Sequence, residues 1–273
     1  SRLSFAFSMP IGAWHPLLPA ALRSLAIQNV ELRLAILDAS GDVRVRKALD
    51  ESGIEFAYRR EGPDGGQSAA IAEGWRNTDS DILGWLNVDD LLMPGALALA
   101  IEEFQAHPDA AAIFGDSVII DEAGGVFGIH GQVADVDDHI SVVNCISQPS
   151  CFFRRAAVDD VGGLDETLGY SMDWDLWIRM QRAGHRFVRV PDFLSAVYWG
   201  AQTKTAELSL SRVGELFSHT HRHSGLLQAF RMIMGVYTQA IMSAPWLLSR
   251  TGDIARKKAE QGLLVCADFN PRE

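Results

Sequence analysis

DILGWLNVDD, residues 81–90, is the stretch that decides the fold. Its apolar run, 82–86, stops abruptly at Asn87-Val88-Asp89-Asp90, and Pro94-Gly95 then opens the helical pattern PGALALAIEEFQ. Ligands of open α/β sheets collect beyond the carboxyl ends of the strands, so a buried strand ending in carboxylates and carboxamides predicts a ligand site. Oxygen ligands suit a hard divalent cation, which in turn suits a diphosphate. Capping of the next helix by Asp89 and Asp90 is the alternative explanation.

The composition narrows the class of protein. The 273 residues are 48% apolar, which is typical of a globular chain with one large α/β domain, or a domain with an appendage. The net charge of −11 argues against nucleic acid as a partner and disfavours electrostatic docking on anionic lipid. The cysteines form no CxxC pair, and the Cys/His spacing does not predict a zinc site. We therefore expect buried thiols in a reducing compartment at Cys145, Cys151 and Cys266.

Strand and helix patterns alternate through the first ninety residues. Strands are predicted at 3–9, 32–37, 55–59 and 82–86, and helices at 16–28, 43–52 and 69–77. This alternation predicts an α/β fold with a parallel doubly wound sheet. Because each polar cluster lies in a strand-to-helix connection, we expect the clusters to converge on one rim of the sheet.

The pattern changes after residue 108. Shorter strands are predicted at 111–115, 118–120, 126–129, 187–190 and 193–198, with a helix at 171–184. From 205 onward the chain reads as helical, and its most apolar segment is 226–248. Polar residues interrupt that segment and Pro245 breaks it, so it predicts a packed or partner-binding helix rather than a membrane span, with an interfacial membrane helix as the second interpretation.

Two further polar groups are candidates for ligand binding. Asp38, which follows the second predicted strand, is suited to accept hydrogen bonds from a nucleobase or ribose, although a turn-forming Asp explains it equally. Asp64–Ser68, DGGQS, would bring backbone N–H groups near a phosphate, and its glycines permit a close approach. A Gly-Gly turn, with Ser68 as the N-cap of the next helix, is the alternative explanation of this segment. The loop matches neither a Walker loop nor GxGxxG.

The segment 171–177, SMDWDLW, begins a helix. Asp173 and Asp175 are two apart and therefore point to different sides of it. One can complement the helix dipole while the other faces a cleft as a general base. Trp174 offers a flat apolar wall of the kind that holds a sugar ring. Capping by the acids and core packing by the tryptophans are the alternative.

In this order and spacing these pieces resemble the family 2 glycosyltransferases, and most of all the bacterial branch related to colanic-acid and lipopolysaccharide enzymes. The likeness is carried by EGPDGGQSAAIAEGW (61–75), DILGWLNVDDLLMPGAL (81–97) and QPSCFFRRAAVDDVGGLDETLGYSMDWDLWIRM (148–180). The resemblance implies a GT-A fold over 1–204, with a nucleotide-binding half at 1–107 and an acceptor half at 108–204. Residues 205–273 would then form a C-terminal helical extension.

The resemblance also implies roles for single residues. Asp89 matches the metal-binding Asp of the DxD motif, for Mg²⁺ or Mn²⁺, and Asp173 matches the catalytic base of an inverting enzyme. The remaining assignments are to nucleotide-sugar binding for Pro10, Asp38, Asp64, Gln67, Asn87 and Asp90, and to acceptor binding for Gln148 and Trp174. The partners implied are a nucleotide sugar, with UDP-sugars first, and a glycan or lipid-linked acceptor. Absence of the QxxRW motif favours transfer of a single sugar.

The sequence departs from the family pattern at several positions. Pro10-Ile11-Gly12-Ala13 lacks the usual aromatic ring for the base, Asn87 replaces the first DxD acid, and Met172 replaces the Glu before the catalytic Asp. Tyr198-Trp199-Gly200 stands where Arg-x-His is common. These departures favour one alternative, a non-catalytic nucleotide- or glycan-binding relative. A sugar nucleotidyltransferase is a weaker alternative, because 9–15 contains no Gly-rich basic loop.

Location and assembly are expectations of the same kind. No secretory signal pattern is visible, so we expect a cytoplasmic protein, with peripheral association at the inner face of the membrane for a lipid-linked acceptor. The helical tail from 205 would form a homodimer contact, pack on the core, or touch a membrane-bound acceptor complex.

Overall fold

The computed structural model describes residues 3–121, 123–130, 136, 140–141, 144–200 and 210–233. The strands of this part of the chain are β1 (Phe5–Ile11), β2 (Leu32–Asp38), β3 (Tyr58–Glu61), β4 (Ile82–Trp85), β5 (Leu91–Leu92), β6 (Ala110–Ile120), β7 (Val126–His130), β8 (Cys151–Arg154) and β9 (Arg186–Tyr198). The helices are α1 (Leu18–Ala26), α2 (Val43–Glu51), α3 (Gln67–Arg76), α4 (Ala96–Ala106), α5 (Arg155–Asp160), α6 (Met172–Arg182) and α7 (Leu210–Ser224), with a 3₁₀ turn at Gln148–Ser150.

These strands form one sheet in the order β3-β2-β1-β4-β8-β6-β9-β5, with β7 paired to β6. The first four strands run parallel, and β1 lies between β2 and β4. All seven residues of β1 are buried, as expected of a central parallel strand covered by helices on both faces. The parallel doubly wound arrangement predicted for the first half is therefore present.

The second half of the sheet is mixed. Strand β8 runs antiparallel to both β4 and β6, β6 runs parallel to β9, and β6 and β7 form an antiparallel hairpin. Two predicted pairs of short strands are each one continuous strand, β6 and β9, whose pairing shifts register without breaking. The third strand begins at Tyr58 rather than at 55, and the two-residue β5 was missed because it is too short to carry a period.

Two apolar clusters fill the two faces of the sheet. Helices α1, α2 and α4 contribute to one, and α3, α5 and α6 to the other. Gly74 lets α3 approach the sheet closely, because a side chain there would overlap Ser8 and Ala35. The buried cysteines of the described chain, Cys145 and Cys151, are free thiols as expected.

The described part of the predicted helical extension consists of α7 and a helical segment at 226–233. Gly225, with φ of 86°, separates the two, as a left-handed residue after a helix end does. Most of the apolar segment 226–248 and the thiol Cys266 lie outside the described residues. Each helix within the described ranges is too short or too polar to span a bilayer.

Candidate active site

The rim, by which we mean Pro10, Asp38, Asn87, Asp89 and Asp90, lies at the carboxyl ends of β1, β2 and β4. In the β1–β2 register, Pro10 is opposite Leu37 and Ile11 is opposite Asp38. Strand β4 pairs with the other side of β1, and the 87–90 segment follows it directly. Parallel topology thus brings these residues to one edge of the sheet.

Asp38 is held rigidly by its own turn. Its side chain is 4% exposed, and its Oδ1 accepts hydrogen bonds from the Ser40 backbone N–H at 2.8 Å and the Ser40 hydroxyl at 2.6 Å. Both the turn-forming and the ligand-binding interpretations of Asp38 remain compatible with this geometry, because Oδ2 is not used by the turn.

The Gly-rich loop connects to the rim through Gln67. Gly66, at φ of 108°, precedes α3, and its N–H donates to Asp64 Oδ1 at 2.9 Å. Gln67, the first residue of α3, donates from Nε2 to Asn87 Oδ1 at 2.8 Å. The loop and the end of β4 are therefore one hydrogen-bonded unit.

Asn87 and Asp90 extend that unit into a cluster of oxygen donors. Asn87 donates from Nδ2 to Asp90 Oδ2 at 3.1 Å. Burial raises the pKa of Asp90 well above its usual range, and the charge of Asp89 raises it further. Two adjacent carboxyl groups that repel each other in a buried setting are the donor set that a hard divalent cation fits, since the cation offsets that repulsion.

Asp173 lies at the start of α6 and is partly buried. Burial raises its pKa to about 6, although hydrogen bonds from the Trp174 backbone and the Asn144 side chain act in the opposite direction. The charge of Asp173 also contributes, after burial, to the raised pKa of the Cys151 thiol. A carboxyl group with a pKa of about 6 is in the range that suits a general base at neutral pH.

Gln148 is hydrogen-bonded to the end of β4. Three residues before Cys151, it donates from Nε2 to the Trp85 carbonyl at 2.9 Å, at the end of β4. Its Oε1 is buried and has no hydrogen-bond partner among the described residues. The 148–151 segment thus joins the end of β4 to Cys151, a thiol within electrostatic range of Asp173.

Four buried serine hydroxyls form a hydrogen-bonded cluster that contacts the 148–151 segment. Ser117 Oγ lies 2.6–2.8 Å from the hydroxyls of Ser147, Ser150 and Ser195, and Ser150 also bonds to the Asp116 carbonyl at 2.9 Å. The cluster ties β6 and β9 to the turn that carries Gln148.

The sequence left Trp174 either as a flat wall for a sugar ring or as a core residue, and the structure buries it. It is 3% exposed, its ring lies 4.7 Å from that of His219, and its indole N–H donates to the Ile140 carbonyl. The ring is therefore part of the core, so these contacts give no support to an acceptor role, which stays a prediction.

The sequence interpretation missed three residues near the site: Trp14, His15 and Glu215. Trp14 follows β1, and the Arg44 guanidinium lies 5.3 Å from the centre of its ring. His15 packs edge-on against Tyr198 at 4.9 Å, and Tyr198 hydrogen-bonds Asp90 through its backbone. Trp14 could have been found from the sequence, because it is an aromatic residue soon after the first predicted strand.

Glu215, from α7, is the third of these residues. Its carboxylate accepts hydrogen bonds from the backbone N–H groups of Gly169, Tyr170 and Ser171, at 2.7–2.9 Å. These bonds lower the pKa of Glu215 even though burial acts to raise it. Glu215 therefore fixes the entry into α6 directly before Asp173, and no sequence signal pairs two positions so far apart.

The architecture and the sequence comparisons agree on the class. This is an α/β fold of GT-A glycosyltransferase type, and the model of glycosyl transferase family 2 matches residues 15–133, so the resemblance is confirmed. The fold is shared with the mannosyltransferase PcManGT from Pyrobaculum calidifontis, solved in complex with GDP-Man and Mn²⁺, at a TM-score of 0.60 and 15% identity over 99% of this chain and 76% of that one. It is also shared with S. aureus TarS 1–349 in complex with UDP-GlcNAc, at a TM-score of 0.62 and 11% identity over 97% of this chain and 80% of that one.

Among curated proteins, the chain is similar to the amylovoran biosynthesis glycosyltransferase AmsE of Erwinia amylovora, with 23% identity over 138 residues, 50% of this chain and 52% of that protein. It is also 29% identical over 164 residues to the uncharacterized protein y4gI of Sinorhizobium fredii, covering 58% of this chain and 18% of that protein. The matched region thus spans about half of one relative and under a fifth of the other.

Proposed function

We propose that this chain is a metal-dependent glycosyltransferase that moves a single sugar from a nucleotide-sugar donor to a hydroxyl of a glycan or lipid-linked acceptor, with inversion at the anomeric carbon. The observation that carries the proposal is the chain of contacts from the Gly-rich loop through Asn87 to Asp90, with Gln148 hydrogen-bonded to the end of the same strand, β4. The match to glycosyl transferase family 2 supports the class of reaction.

The nucleotide would be held at the rim. Asp38 uses Oδ1 for its own turn, which leaves Oδ2 to accept a hydrogen bond from a base or ribose. Pro10 would bound the same pocket from β1. The Gly-rich loop with Asp64 and Gln67 would lie beside the phosphates.

Asp89, assisted by Asn87 and Asp90, would hold Mg²⁺ or Mn²⁺. The fit rests on a donor set made of oxygens and on the raised pKa of Asp90, which burial causes first and the charge of Asp89 second. When bound, such a cation supplies compensation for the negative charge on the departing nucleoside diphosphate. The PcManGT structure contains Mn²⁺, which supports this proposal.

Asp173 would remove the proton from the attacking acceptor hydroxyl. Its pKa of about 6 leaves it mostly ionised at neutral pH, yet basic enough to take a proton in the transition state. Gln148 has a buried Oε1 without a hydrogen-bond partner among the described residues, and this atom is suited to accept from the same acceptor sugar. Because the displacement is a single step, the protein needs no nucleophile of its own.

The test is an assay of transfer and hydrolysis with a panel that includes a UDP-sugar and a GDP-sugar, with and without Mn²⁺. We expect Asp173→Asn to lower turnover by about 10²–10⁴-fold, the range for loss of a positioned general base. Asp159→Asn, at an exposed position of α5, is the matched control and should keep wild-type turnover. Equal turnover of wild type and Asp173→Asn would disprove the role of Asp173.

A non-catalytic binding relative is the alternative, and the engagement of Asn87 with Gln67 and Asp90 favours it, because these bonds occupy the position of the missing acid. It predicts that a nucleotide sugar raises the melting temperature by mass action while no donor is consumed. Donor consumption that needs Mn²⁺ and Asp173 excludes it.

A further inference from the structure

Asp175, His219 and His223 form a compact group between α6 and α7, which we call the α6–α7 cluster. One ligand atom of each residue lies within 4.8 Å of the ligand atoms of the other two. The side chains of all three are less than a tenth exposed. The group is separate from the rim, and an inference about it does not depend on the proposed function.

The two imidazoles and the carboxylate of the cluster face one another. His219 and His223 are four residues apart on α7 and share one face of the helix, with their ring centres 4.6 Å apart. Asp175 Oδ1 lies 3.1 Å from Nε2 of His223 and 3.9 Å from Nε2 of His219. Two imidazoles at this helical spacing and one carboxylate from a second element are a common three-ligand set for a transition metal.

His219 is the independent indication that a ligand belongs here. It is 1% exposed, and neither of its ring nitrogens has a hydrogen-bond partner among the described residues. Buried polar atoms are nearly always paired, and a bound ion accounts for some of the exceptions.

We propose that Asp175, His219 and His223 bind one transition-metal ion of the zinc class, which braces α7 against α6. Imidazole nitrogens suit Zn²⁺, whereas Mg²⁺ and Mn²⁺ prefer the oxygen donors of the rim. The sequence did not predict a zinc site, because the His-x-x-x-His spacing contains no Cys and its third ligand lies in another helix.

Two arginines surround the cluster and set its chemistry. Arg179 Nε donates to Asp175 Oδ2 at 2.7 Å, which orients the carboxylate and leaves Oδ1 facing the two imidazoles. Arg182 lies 2.9 Å from His223 Nδ1 and also donates to the His223 carbonyl at 2.6 Å. With Arg182 donating to Nδ1, the His223 proton is on Nε2, where it faces Asp175.

Metal binding at His223 Nε2 therefore moves that proton to Nδ1 and displaces the Arg182 contact there. Arg182 makes this contact at an exposed position, so its side chain can rotate away. Replacement of Arg182 by Gln removes a positive charge and provides an oxygen that accepts from Nδ1–H. Arg182→Gln should therefore bind the metal more tightly than wild type.

The test is titration of the chelator-stripped full chain with Zn²⁺ by calorimetry, in excess Mg²⁺ to occupy the rim. The absorption of bound Co²⁺ is the second readout. We expect one Zn²⁺ per chain and a loss of affinity of at least about 100-fold in His223→Gln, since even partners of ligands are worth 10–100-fold. His221→Gln, between the two ligands on the same helix but exposed, is the matched control and should bind like wild type.

Thermal unfolding separates a site from adventitious binding. Zn²⁺ should raise the melting temperature of wild type, His221→Gln and Arg182→Gln, but not that of His223→Gln. Failure of wild type to bind Zn²⁺, or equal affinity of wild type and His223→Gln, would overturn the proposal. His219→Gln repeats the test at the more buried ligand, and if that variant does not fold, the affinity of His223→Gln decides.

Discussion

The rim and the α6–α7 cluster are two groups of polar residues that the fold builds in different ways. The rim is placed by sheet topology: its residues lie at the carboxyl end of a strand or directly after one, and neighbouring strands end together. The α6–α7 cluster is placed by helix docking, with its residues on two helices remote in the chain. Sites of the first kind are visible in a sequence, whereas sites of the second kind appear only after the chain has folded.

Helix α6 carries two acids close together in the chain: Asp173, which belongs to the candidate active site, and Asp175, which belongs to the cluster. Asp173 contributes to the environment of Cys151, whereas Asp175 pairs with Arg179 and His223 of the cluster. The different sides expected from their spacing are thus present. Substitutions on the two sides should have separable effects, on catalysis and on stability respectively.

The largest separable effect is the pH dependence of turnover. If Asp173 is the base, kcat/KM should fall by about tenfold at pH 5 and about a hundredfold at pH 4 relative to its plateau, because a group with a pKa of about 6 is progressively protonated there. Initial rates from pH 4 to 8, with folding followed by circular dichroism, provide the measurement. A profile flat down to pH 4 would contradict the assignment.

The ionisation of Asp173 should affect the free energy of unfolding in the opposite direction: turnover rises with pH, whereas the contribution of Asp173 to stability falls. The raised pKa of Asp173 contributes stability at pH below about 4, which is lost as the pH rises through about 6. Asp173→Asn removes this titration, so it should gain up to about 3 kcal/mol relative to wild type at pH 8, but not at pH 4. Urea unfolding at the two pH values checks the sign.

Substitution of Asp175 should lower the free energy of unfolding. Asp175→Ala removes the carboxylate that pairs with Arg179 and faces His223 Nε2, and we expect it to lower the free energy of unfolding by about 3 kcal/mol, measured with a chelator present. Asp109→Ala breaks a surface pair with Arg186 and is the control, with an expected change within about 0.5 kcal/mol. Equal effects of the two substitutions would remove the distinction between the buried cluster and an ordinary surface pair.

The serine cluster below Gln148 should have a smaller effect. Ser117→Ala removes the hydroxyl shared by Ser147, Ser150 and Ser195, with an expected loss of about 2 kcal/mol in the free energy of unfolding. KM for the acceptor should rise as well, because the turn that carries Gln148 loses its support. Ser40→Ala, at the donor side of the rim, should leave the acceptor KM unchanged.

The smallest expected effect concerns the base of the nucleotide. Trp14 supplies an aromatic ring after β1, where Pro10-Ile11-Gly12-Ala13 has none, and Arg44 packs over it. Trp14→Ala should raise the donor KM by about tenfold, as expected for loss of one stacking contact. Trp14→Phe keeps a ring and should retain most of the affinity, whereas a loss equal to that of Trp14→Ala would show that ring stacking is not the cause.

Local periodicity identified most elements but not their pairing. Strands β1, β2 and β4, and helices α3 and α6, were predicted to within a few residues because each carries its own apolar period and stop signals. The mixed pairing of β8, β6 and β9 was not predictable, because a strand covered on both faces carries a continuous apolar run whichever way its neighbours run. The roles of the predicted site residues remain predictions for the experiments above.

The sequence by itself determined the α/β alternation, the acids that end β2 and β4, and the resemblance to family 2 glycosyltransferases, since each of these is encoded within a short stretch. Only the tertiary structure decided that Trp174 is buried, that Glu215 fixes the start of α6, and that Asp175 meets His219 and His223. The physical reason is that burial and polar pairing between remote helices depend on how whole faces pack, and no local pattern of residues records that choice.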